Sequence, residues 1–302
     1  MRKIKFTTTS ISAALLAGVL FVSSCGGSSK NSLEEGLDGN QTSVKISKQE
    51  LDKLIQSFPS PIETSIVIKN AGNPFNTSFL IPTKKIDRFI SNYDKALAMG
   101  ALGGDMGYIN IYGKSFVAME YLGAIRMLSK ELDIDRFFEF ERMVKMAKNS
   151  DNVDSLMQMS TESFNKMESY FREKGRNELS ILIVFGTWLE GSYIIAELAQ
   201  ENKSEEMKNR VAEQKESVKN MTKVLSLAKA DPFFAKLHSK VAAIDKLYDK
   251  VKIDQIIRQP EMQEVNGQLV FVDKSETKIT ADEYTISGII SETIKLRNEL
   301  LK

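Results

Sequence analysis

The chain offers little redox or metal-binding chemistry. Of its 302 residues one is cysteine, Cys25, and one is histidine, His238. A lone cysteine excludes an internal disulfide. A lone histidine excludes a histidine-rich metal site and makes any Ser-His-Asp triad depend on His238, which sits in FFAKLHSKVAAI, a stretch that reads as helix with the imidazole at its surface or core edge. Charge of one sign is missing too, with 41 Lys and Arg against 40 Asp and Glu. No basic excess is present to track nucleic acid phosphates, so nucleic acid is not an expected partner. No repeat of fixed period occurs either, which excludes a regular solenoid.

What is present begins with an address. Arg2, Lys3 and Lys5 precede an apolar run from Ile11 to Val22, and small residues lead to Cys25. That order is a secretory signal peptide over residues 1–24. The run is short of the roughly 20 residues that cross a bilayer. Val22-Ser23-Ser24-Cys25 resembles the lipobox of bacterial lipoproteins. The resemblance implies cleavage before Cys25, a diacylglycerol on its thiol and an acylated N-terminus. Acyl chains hold a protein to membrane at about 0.8 kcal/mol per buried methylene. Gly26 and Gly27 follow, with no Asp beside the cysteine to resemble an inner-membrane retention signal. The expected home is therefore the outer membrane, its periplasmic or outer face left open. Without residues 1–24 the chain holds 38 basic and 40 acidic residues.

Residues 25–44 are rich in Gly, Ser and Asn without periodicity, the composition of a flexible tether. Glu34-Glu35 is a weak echo of the acidic signals that send some Bacteroidota lipoproteins to the cell surface, and equally an ordinary solvated linker pair. Residues 45–302 read as a single helical domain. Ser47 to Glu50 and Ser60 to Glu63 are capping boxes, the second with Pro61 in the first turn. Helical signals continue over 83–99, 105–132, 135–148 and 152–174, with Gly175 as a stop. Residues 178–200 are apolar nearly all round, the mark of a helix buried on most sides. Residues 201–229 are highly charged with a narrow apolar stripe broken at Gln214, an outer helix, and Asp231-Pro232 restarts another. EMQEVNGQLVFV, residues 261–272, sets Asn-Gly between two strand-like runs. A last helix follows Thr280 to Glu283. The expected fold is all-α: an irregular bundle of roughly eight to ten helices with one small C-terminal β-hairpin.

GYINIYGKS, residues 107–115, invites a phosphate-loop reading, but five residues rather than four separate Gly107 from Gly113, and they are bulky. Helix packing is the better reading. Gly100, Gly103, Gly104 and Gly107 recur at three and four spacing and let another element approach closely. Asp105, Tyr108, Tyr112 and Phe116 then share one helix face, either an aromatic core with a bonded Asp105 or a ligand-lining surface around one carboxylate. Glu190 interrupts the most apolar helix; buried, it is a candidate general acid or cation ligand, and with Thr187 and Glu197 it also makes a polar stripe for water or a basic partner. Asp154-Ser155-Leu156 resembles the O-glycosylation site of Bacteroidota envelope proteins, which implies Ser155 as the modified residue.

Residues 96–134, with their glycine-rich turn, Asp105, Tyr108, Tyr112 and a Leu-rich helix ending ELDI, resemble a segment of uncharacterised helical envelope lipoproteins of Bacteroidota. That resemblance brings no activity with it. With no metal or cofactor motif in the chain, the leading expectation is a membrane-anchored lipoprotein with a non-catalytic binding or scaffolding role toward an envelope protein or small ligand. A carrier of an apolar small molecule, lined by the Met and aromatic residues of 105–171, is the second reading. An enzyme using carboxylates alone is the third.

Overall fold

The structure, a computed structural model, describes residues 61–147, 153–202, 205–258, 261–265, 268–272 and 276–301, together with residues 53 and 58. Cys25 and the expected signal peptide, tether and capping box at 47–50 lie outside the described residues, as does Asn266-Gly267.

The fold is all-α with a C-terminal β-hairpin. Ten α-helices are described: α1 Pro61–Asn70, α2 Asn92–Ile111, α3 Ser115–Glu131, α4 Phe140–Ala147, α5 Val153–Glu173, α6 Asn177–Asn202, α7 Glu205–Glu213, α8 Lys215–Leu227, α9 Pro232–Tyr248 and α10 Glu283–Leu301. α2 and α6 lie against each other at the centre, and α1, α3, α5, α7 and α10 pack around that pair. α8 and α9 pack together beside α10.

The central contact follows from glycine. A Cβ on Gly100 of α2 would lie 2.0 Å from the Ile183 carbonyl oxygen of α6, and one on Gly186 of α6 would lie 2.1 Å from the Leu97 carbonyl oxygen of α2. The two backbones therefore meet at distances that no side chain permits. The Thr187 hydroxyl donates to the Gly100 carbonyl at 2.8 Å and fixes the register. α6 is long and apolar enough to cross a membrane by composition alone, but 89% of that apolar window is buried inside the protein, so its apolar surface is used as core.

Element boundaries differ from expectation where local chemistry intervenes. The glycine-rich run does not break the chain: α2 continues through it to Ile111, because α6 closes on the glycines and offsets their poor helix propensity. Residues 83–99 are not one helix. A 3-10 turn over Thr83–Arg88 ends in extended backbone at Phe89, and α2 starts afresh with the Ser91 hydroxyl accepting from the Asp94 N–H. The Gly-Lys-Ser of the would-be phosphate loop is the turn between α2 and α3, with Gly113 at φ 62°. The charged segment splits at Gln214 into α7 and α8. α9 opens as expected on Asp231, whose side chain accepts from Phe233 and Phe234 N–H, with Pro232 in the first turn.

A second antiparallel ladder accompanies the expected hairpin. β2 (Glu261–Val265) and β3 (Gln268–Val272) pair antiparallel with Val265 opposite Gln268, so the Asn-Gly signal marks their connection. β1 (Lys252–Ile256) and β4 (Glu276–Thr280) form an outer antiparallel ladder. Ile253 and Ile279 face each other across it and pack on the core, whereas Ile257 and Met262 are exposed.

Candidate functional site

The close approach of α2 and α6 brings together two acids that the sequence presented separately. Gly104 is so near α6 that a Cβ there would stand 3.0 Å from the Glu190 Cβ, and Asp105 follows immediately. Asp105, Glu190 and Arg297 of α10 are all fully buried. The guanidinium grips the Glu190 carboxylate with both arms: Nε donates to Oε2 at 3.0 Å and Nη2 to Oε1 at 2.6 Å. Nη2 also donates to the Phe79 carbonyl at 2.9 Å, and the guanidinium carbon lies 4.1 Å from the Tyr193 ring centre. A forked, charge-assisted pair of this kind is the geometry for which arginine rather than lysine is suited.

Asp105 Oδ2 accepts from the Ile81 N–H at 3.0 Å. Burial pushes the Asp105 carboxyl well above the usual carboxylate range, and the charge of Glu190 pushes it further; the Ile81 N–H and Arg297 pull back only in part. Burial alone lowers the pKa of Arg297, but Glu190 outweighs it and holds the guanidinium above its ordinary value. Arg297 thus faces the Glu190 carboxylate, while burial and the charge of Glu190 bias the Asp105 carboxyl toward its neutral form.

The tyrosines complete a second task. Residues 73–81, between α1 and α2, contain only one short 3-10 turn, so most of their backbone needs partners from elsewhere. Tyr112 donates to the Asn73 carbonyl at 2.5 Å; Tyr108 accepts from the Asn76 N–H at 3.0 Å and donates to the Pro74 carbonyl at 3.4 Å. Tyr121 donates to the Ile81 carbonyl at 2.6 Å. Asp105 and Arg297 take Ile81 N–H and Phe79 carbonyl, as above. Phe75 lies against Tyr108 and Tyr112, with ring centres 5.2 and 5.6 Å away. Burial raises the phenol pKa of both tyrosines, that of Tyr108 to about 12, so neither ionises near neutrality. The face that the sequence offered as a ligand lining is filled by the chain's own strap, residues 73–81.

The other candidates stay apart. Ser155 is exposed on α5, and His238 is half-buried on α9, where burial and Lys229 lower its pKa. Among the described residues no cluster of three or more His, Cys, Asp or Glu side chains is placed to hold a metal ion. Arg297 and Tyr121 were missed by sequence reasoning. The only available signal was an arginine at the end of the Ile286–Ile289–Ile290 face of α10, a place where a charge needs a partner.

The arrangement ties α2, α6, α10 and the 73–81 strap together. A general acid must come within hydrogen-bond reach of its substrate, and these three side chains touch only the protein interior. No protein-family model, curated protein or solved structure matches the chain.

Asp105→Asn is expected to keep neutral-pH stability within about 1 kcal/mol, since an amide oxygen still accepts from Ile81. The pH profile should change more. The unfolded Asp105 carboxyl titrates near pH ~3.9 and the folded one higher, so the contribution of Asp105 to stability is fully present below the unfolded value and is lost as pH rises through the folded one. Urea midpoints from mild acid to neutral should show that fall in the wild type and a flatter line in Asp105→Asn.

Proposed function

We propose that the protein is a lipid-anchored bacterial envelope protein whose helical domain binds or scaffolds a partner without catalysing a reaction. The observation that supports this most is the fate of Asp105 and Glu190. Both are sealed in the core and engaged by Ile81 and Arg297, which leaves the surface as the working part. Ile257, Met262, Phe116 and Tyr284 are large apolar side chains that this surface exposes by 60% or more. The lipobox-like Val22 to Cys25 and the tether supply the anchor, at the outer membrane, and the resemblance of residues 96–134 to helical Bacteroidota lipoproteins agrees with it.

The carrier reading has less in its favour, because Met106, Met143, Met159, Met167 and Phe171 are packed into one core cluster. The carboxylate-enzyme reading needs two acids facing a cleft, and the two that converge are sealed in the core, Glu190 on Arg297 and Asp105 on the Ile81 N–H.

Protease shaving of intact cells tests the proposal, with Cys25→Ala as the anchoring control and a periplasmic protein as the leakage control. Membrane fractionation should find the wild type with the outer membrane and Cys25→Ala released. Cleavage of the wild type while the periplasmic marker survives places its partners outside the cell; protection places them in the periplasm. A Cys25→Ala protein that fractionates like the wild type would sink the anchoring.

A further inference from the structure

A small cleft lies between α1 and α6, beside Gly104 and Gly191, with Thr64, Ser65, Thr187, Trp188, Ser192 and Gln214 on its walls. Two of these residues carry buried polar atoms without a hydrogen-bond partner: Trp188 Nε1 and Ser192 Oγ. Trp188 is 7% exposed and Ser192 9%, so bulk water does not serve them. An indole N–H only donates, whereas a serine hydroxyl donates once and accepts twice. Leaving such a group buried and unbonded costs about 1–3 kcal/mol.

The room available decides what can satisfy them. The cleft has room for about one water molecule. Organic ligands are too large. Its walls carry hydroxyl, amide and indole groups and no charged side chain, which favours a neutral occupant over an ion. We infer that this cleft is a binding site for one ordered water molecule that accepts from Trp188 Nε1 and hydrogen-bonds Ser192 Oγ, one turn apart on the face of α6 turned to α1. Thr64, whose methyl carbon would lie 3.2 Å from a Cβ on Gly191, shows how closely α1 seats there.

Trp188 is the chain's one tryptophan, so its indole N–H gives a single resolved proton signal in the full chain, labelled with 15N-tryptophan and held in detergent. The expected result is a cross-relaxation peak between that proton and water, with the sign of a long-lived bound molecule. Ser192→Ala should shift the indole resonance and weaken or abolish the peak. Ser180→Ala removes another unpartnered buried hydroxyl of α6 that does not line the cleft, and should change neither. An indole proton in the wild type with no water peak, or a peak identical in wild type and Ser192→Ala, overturns the assignment. The wild-type spectrum decides alone if Ser192→Ala does not fold.

Discussion

Arg297→Met is expected to destabilise the protein by about 3–5 kcal/mol, the usual cost of stranding one partner of a buried ion pair. Glu190 would keep its charge with no counterion beside it, and the Phe79 carbonyl would lose its donor. The double variant Glu190→Gln/Arg297→Met should recover a large part of that loss, because it removes both charges together. Urea unfolding of the two variants checks this. A single variant within about 1 kcal/mol of wild type would mean that the pair is solvated in solution and not sealed.

Gly186→Ala is expected to cost more than about 3 kcal/mol, beyond ordinary overpacking. The added methyl would sit 2.1 Å from the Leu97 carbonyl oxygen and 2.9 Å from the Ala101 nitrogen, and backbone atoms cannot turn aside as side chains do. Gly100→Ala meets the Ile183 backbone at 2.0 Å and should be as severe. Gly103→Ala is the contrast. Its nearest neighbour would be the Thr187 hydroxyl at 3.9 Å, so the helix should gain up to about 1 kcal/mol from the better helix former. Thermal melts of the three variants separate close packing from propensity. Equal effects at 100, 103 and 186 would contradict the central contact.

Much of the fold was legible because local signals agreed with it. Asp231-Pro232 and Gly175 each mark a boundary that the structure keeps, and the spacing of Gly100 and Gly104 announced a close neighbour. Gly186 did not announce itself, since one glycine in an apolar helix has no periodic companion. β1 and β4 were missed for another reason. Lys252-Ile-Asp-Gln-Ile256 and Glu276-Thr-Lys-Ile-Thr280 carry charges and have no tight turn directly joining them, since the β2–β3 hairpin lies between. The centre was half legible. Asp105 and Glu190 stood out as acids in apolar surroundings, but the chain separates Glu190 from Arg297 by 107 positions, and pattern reading has no means to pair them. The tyrosines were placed on the right helix face while their partners, backbone groups of residues 73–81, have no side-chain signature at all.

Arg297 bonds both Glu190 on α6 and the Phe79 carbonyl of the strap. One side chain of α10 thus fastens two segments that lie 107 and 218 positions away along the chain, and neither fastening survives if α10 lifts from its place.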